Sequence, residues 1–133
     1  MSTQDVIVPG WPTPKGYSNG RVGAGRMVHV GGQIGWDADG KFADGFVAQF
    51  AQTLANVIAV VKAAGGTVED LADMTVFVID MGTYRAARKE LAAVWRERLG
   101  KHYPAMALVA VKELFEPDAL VEIQAVAFVG GAA

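Results

Sequence analysis

Two changes of hydrophobic period constrain this chain more than any other feature. Phe46, Phe50, Leu54, Val57, Val61 and Ala64 recur at steps of three and four, which predicts a helix with one apolar face, and Gly65-Gly66 supplies its stop. Asp44 is the expected N-cap. Residues 74–79 then form a compact β-branched and aromatic run with Val76, Phe77, Val78 and Ile79, expected as a buried strand. The helical period returns after Thr83, the expected second cap, and ends at Gly100. Its buried stripe is Tyr84, Ala87, Leu91, Trp95 and Leu99, with Arg85, Lys89, Arg96 and Glu97 toward solvent.

Strands are expected on both sides of this helix, strand, helix unit. Residues 1–15 carry Pro9, Pro12 and Pro14 and read as an extended N-terminal arm. Residues 17–22 and 26–32 predict two strands joined by a Gly23-Ala24-Gly25 turn, and Asp37 to Gly40 predicts a further turn, with a short extra strand allowed near Lys41. Residues 105–111 and 120–129 predict two more strands, separated by a turn at Pro117. The order ββαβαββ gives a single α+β domain over residues 1–133, with right-handed crossovers placing both helices on one face of one sheet. The other face, rich in Val, Leu, Ala and Ile, is left uncovered, so the chain is expected to associate with itself.

Composition narrows the function classes. With 52% hydrophobic residues and a mean hydropathy of +0.25, the chain is more apolar than a typical soluble domain, which again favours an oligomer. No apolar run reaches the length of a membrane span and no signal core is seen, so no membrane partner and a cytoplasmic location are expected. There is no cysteine, which removes thiolate chemistry. His29 and His102 are the two histidines and share no ligand spacing, so no metal site is expected. Gly20, Gly23 and Gly25 do not make a dinucleotide fingerprint, and no cofactor is expected. A net charge of −2 makes nucleic acid an unfavoured partner.

One acidic residue stands out on physical grounds alone. Glu122 lies inside the apolar run Leu120-Val121-Glu122-Ile123-Gln124-Ala125, where strand alternation sets it on the same face as Gln124, Val126 and Phe128. A carboxylate there is costly to bury without partners, as general acid-base work requires, whereas an edge position would leave it merely solvated. Tyr17 offers a ring face and a phenolic donor, or else a turn aromatic capping the core.

Four segments together resemble the RidA (YjgF/YER057c/UK114) family of small imine and enamine deaminases: Gly16-Tyr17-Ser18-Asn19, Gly31-Gly32-Gln33-Ile34, Tyr103-Pro104-Ala105-Met106-Ala107-Leu108-Val109, and the Glu122 strand. The resemblance spans nearly the whole chain. It implies the chorismate-mutase-like fold with one mixed sheet, a homotrimer, and ligand clefts between subunits. It also implies that Glu122 positions or activates the water that attacks the C=N carbon. Tyr17, Gly31, Gly32, Gln33, Met106 and Ala107 correspond to the lining of that cleft. Gly31 stands where the deaminases usually carry serine, so a hydroxyl contact is lost.

Met106 is the main departure from the family pattern. Active deaminases carry an arginine there, whose guanidinium grips the substrate carboxylate through two parallel hydrogen bonds. At about 1.5–3 kcal/mol per hydrogen bond to a charged group, its loss weakens binding on the order of a hundredfold or more. Arg88 and Arg21 are the candidates to replace it. The expected function is a cofactor-independent hydrolase or deaminase acting on an imine, enamine or related C=N metabolite, with poor activity on 2-imino acids. The alternatives are a non-catalytic small-ligand-binding protein, or an RNA-binding protein, since some family members carry an endoribonuclease label. Six of the twelve basic residues, from Arg85 to Lys101, fall on one helix and its end, a pattern that a solvated helix face also explains.

Overall fold

In the computed structural model, which describes residues 2–131, the apolar stripe forms helix α1 (Phe46–Ala63). Leu54, Val57 and Val61 are completely buried, each contributing about 1.5–3 kcal/mol by removal from water. The helix stops as the glycine pair requires. The N–H groups of Gly65 and Gly66 donate to the carbonyls of Lys62 and Val61, both at 2.9 Å, and Gly65 takes φ +93°. At the other end the N-cap is Gly45, not Asp44, and no side chain caps the helix. By length and composition α1 alone among the described helices could cross a membrane, but its apolar face is the core of this domain.

A four-stranded mixed sheet lies under α1. Its strands are β3 (Gly25–Ile34), β4 (Leu71–Val78), β5 (Ala105–Ala110) and β6 (Val121–Gly130), in the order β3-β6-β4-β5. Strand β6 runs antiparallel to both neighbours, and β4 pairs with β5 in parallel. Alternation along β6 buries Val121, Ile123, Ala125, Ala127 and Val129 against the helices. The opposite face carries Met27, Phe77, Val126 and Phe128, with no helix over it among the described residues. The α+β sheet with helices on one side is therefore present, and one core cluster connects it to α1 and the second helical segment.

Four local expectations need correction. The glycine turn at 23–25 does not close a hairpin: β2 (Arg21–Gly23) pairs antiparallel with β1 (Thr3–Asp5), inside the proline-rich arm, while β3 joins the large sheet. Of residues 17–20, Ser18 alone makes a sheet contact, a single parallel bridge to Ala105. The second helix begins earlier than Thr83. Asp80 caps it, its Oδ1 accepting the Thr83 N–H at 3.0 Å, and the helix is interrupted at Ala87 into α2 (Met81–Ala86) and α3 (Arg88–Leu99). The extra strand near Lys41 is reduced to one bridge between Trp36 and Phe42.

Side-chain staples fix the ends of the strands. Gln49, buried on α1, donates to the Asp118 carbonyl and accepts from the Leu120 N–H, holding the chain just before β6. Asn56 donates to the carbonyls of Ile34 and Trp36, holding the end of β3. Both residues lie on the helix that the core anchors, so the entrances to β6 and the exit of β3 are set by the same element.

Candidate functional site

Between Val30 and Gln33 the pairing of β3 with β6 slips: Val30 lies opposite Ala125 and Gln33 opposite Ile123, so Gly31 and Gly32 together face Gln124. This is a β-bulge, a feature that redirects side chains at functional sites. A glycine pair inside a strand was its sequence signal. Beyond the bulge, Glu122 lies opposite Ile34 on one side and Phe77 on the other. A Cβ on Gly32 would meet the Glu122 carboxylate, with its Cδ only 2.9 Å away, so bare backbone at 32 is what gives this carboxylate its room. Glu122 is half-buried between two apolar neighbours and has no ion pair or side-chain hydrogen bond among the described residues. Gln33 donates from Nε2 to the Gly31 carbonyl at 3.1 Å, tightening the bulge.

A second group of expected residues gathers on the helix side of the sheet. Met106 is in register with Met74, whose side chain is buried in the core, and packs against that core from the edge strand β5. Tyr17, Arg88, Met106 and Ala107 line one cavity of about 430 Å³ between β5 and α3. Its deeper wall is Phe50, Val76 and Leu91. Trp95 and Tyr103, with rings stacked 6.0 Å apart and 5° from parallel, complete the aromatic side. Trp95 is held there by donation from Nε1 to the His102 carbonyl at 3.1 Å. Tyr84, another wall residue, has its phenol pKa raised above 10.0 by burial.

Tyr17 owes its place to the residue that follows it. The Ser18 N–H donates to the Pro104 carbonyl, and its hydroxyl bonds the Tyr103 carbonyl and the Asp5 carboxylate. Tyr17 itself is 48% exposed and borders a second cavity on the arm side. Arg21 lines that second cavity and not the one at Met106. Its side chain is 7% exposed and paired with Asp5, and it donates to Thr3 Oγ1. Arg21 is thus a fastener of the arm, and of the two proposed cations Arg88 is the one at the Met106 cavity.

The two groups do not meet within one chain. Met106 aligns with Met74 and Glu122 with Phe77, and the odd separation of 74 and 77 along β4 puts their side chains on opposite faces. Gly31 borders a separate, smaller cavity of about 310 Å³ on the Glu122 side with His29, Asp73 and Gln124. Arg96 is exposed, as its helix position implies, and it also lines the Met106 cavity. Its spacing of eight from Arg88, two turns along the same face, was the available signal. No cluster of His, Cys, Asp or Glu suited to a metal occurs among the described residues.

The family model described as endoribonuclease L-PSP matches residues 12–129. A RutC family protein of Haemophilus influenzae is 34% identical over 128 residues, covering 96% of this chain and 98% of the relative. The 2-iminobutanoate/2-iminopropanoate deaminase of Salmonella typhimurium is 37% identical over 107 residues, covering 80% and 82%. Among solved structures, a Rid-family protein from Yersinia pestis superposes with a TM-score of 0.85 at 29% identity, covering 97% of this chain and 100% of that one.

Proposed function

Because the chain belongs to the endoribonuclease L-PSP family, together with RutC-family and Rid-family relatives, we propose that it is a cofactor-independent deaminase or hydrolase of a C=N or enamine bond in a small metabolite. The observation that carries this reading is Glu122: a half-buried carboxylate between Ile34 and Phe77, given room by Gly32 and engaged by no cation among the described residues. Such a group can accept a proton from water as the oxygen attacks the C=N carbon and pass it to nitrogen, then carry the carbinol O–H proton to nitrogen as the carbonyl forms and the C–N bond breaks. Imine and water become carbonyl and ammonia. The likeness to the Salmonella deaminase supports the same chemistry.

In this proposal the working cleft forms between copies of the chain. Glu122 and Met106 occupy opposite faces of one sheet, so a cleft holding both takes the acid from one protomer and Met106, Ala107, Tyr17 and Arg88 from its neighbour. A homotrimer in the cytoplasm, closing the apolar face around a central axis, is the assembly we propose. Met106 presents a thioether to the ligand, which favours apolar contact and provides no fork for a small carboxylate.

The test is ammonia release from 2-imino acids generated in situ. The wild-type protein should turn over the imine of pyruvate only slightly above background, Met106→Arg should raise that rate, and Glu122→Gln should return every active imine to background. Robust wild-type turnover that survives Glu122→Gln would overturn the reading.

A further inference from the structure

Two arginines border the cavity beneath β5, Arg88 and Arg96, two turns apart on α3 with the small Ala92 between them. Neither has a carboxylate within ion-pair distance among the described residues, and no Asp or Glu lines the cavity. Everything else around it is apolar or aromatic apart from tyrosine hydroxyls and backbone. A concave apolar space with a few convergent polar groups is the usual form of a small-molecule site. Both arginines are exposed at its mouth; Arg88 Nε donates to the Arg85 carbonyl at 3.2 Å, which leaves its terminal nitrogens and the whole Arg96 guanidinium to meet an anion.

Size separates this cavity from one built for a three-carbon acid. At about 430 Å³ it falls in the range that holds ring-bearing ligands, and a pyruvate-sized molecule would leave most of its walls wet. The stacked Trp95–Tyr103 pair offers a flat apolar surface for a ring. Resting on the proposed reaction class and narrowing its substrate, we infer that the cavity binds a carboxylate bearing a bulky aromatic side chain, its ring against Trp95 and Tyr103 and its carboxylate on Arg96 and Arg88. The carboxylate clamp has moved from the edge strand, where Met106 stands, to the facing helix.

Phenylpyruvate, the hydrolysis product of the matching imino acid, is the probe. Calorimetric titration should show saturable binding at least tenfold tighter than that of pyruvate. Arg96→Gln and Arg88→Gln should each weaken it tenfold or more, Arg96→Lys should restore most of the loss, and the neutral 3-phenylpropanamide should bind weakly and equally to wild type and variants. The Trp95 indole resonance should shift on saturation. Unchanged affinity in both Gln variants, or an amide that binds as tightly as the acid, overturns the inference. The outcomes are separable from the reaction itself: phenylpyruvate binding without ammonia release from the corresponding imine removes the catalytic reading alone. Ammonia release from the pyruvate imine with no phenylpyruvate binding removes this one alone.

Discussion

The Glu122 carboxylate occupies the space where residue 32 would carry a Cβ. This couples the identity of one strand residue to the position of the acid on its neighbour, across the bulge of β3 and β6. Adjacent Gly31 is different, since a Cβ there meets nothing within 4 Å and its φ is not positive.

Gly32→Ala should therefore push the free end of Glu122 aside, lowering ammonia release tenfold or more while changing stability by only about 0.5 kcal/mol, since one half-buried side chain has to move. Gly31→Ser should leave the melting temperature nearly unchanged. Parallel thermal melts and rate assays of the two variants check the contrast.

His102 should make stability depend on pH. Its Nε2 lies 2.7 Å from the Leu71 carbonyl, so that nitrogen carries the proton and donates, and burial lowers the ring pKa below 6.5, with the Arg21 charge acting in the same direction. The bond to Leu71 and the charges of Glu69 and Asp5 oppose that shift without cancelling it. A lowered folded pKa means that the unfolded chain binds the proton more readily. The contribution is thus complete above pH 6.5 and is lost as pH falls through the folded value. Melting curves from pH 7.5 to 5 should show this decline, and His102→Gln should flatten it.

Removing the indole donor at 95 should loosen the wall of the cavity. Trp95→Phe keeps a ring but loses the bond to the His102 carbonyl, which should reduce stability by about 1–2 kcal/mol in urea unfolding. Phenylpyruvate affinity should fall with it, because the smaller ring, no longer held by the His102 carbonyl, stacks less firmly on Tyr103.

Light scattering should give a mass about three times the 14.0 kDa of one chain. Met27 is exposed on the uncovered face, opposite Phe128, so Met27→Glu should leave the protomer folded by circular dichroism while shifting the mass toward one chain. A wild-type protein that runs as a monomer would remove the shared cleft.

The elements legible in the sequence are those whose information is local. The spacing from Phe46 to Val61 and the Gly65-Gly66 stop specify α1, and the run from Met74 to Val78 specifies β4, because burial imposes a period on neighbouring residues. The glycine turn at 23–25 misled because a hairpin and a change of partner strand have the same turn chemistry. What decided between them was the pairing of Arg21 with Asp5 and of Gln4 with Val22, sixteen or more residues away. Asp80 took the cap from Thr83 by lying three residues ahead of it, where its oxygen reaches the Thr83 N–H. At the site, Tyr17, Met106, Ala107 and Arg88 line one cavity, while the separation of Met106 from Glu122 could be read only once the register of β4 with both neighbours was known.

Ser18 ties the amino-terminal arm to Tyr103 and to Ala105, so the wall that Tyr17 contributes is hung from outside the sheet. Ligand preference can then drift through changes in the arm that retune the angle of one phenol, leaving the load of folding, carried by α1 and the central strands, untouched. A protein arranged in this way can explore new chemistry at its rim while its interior stays the same.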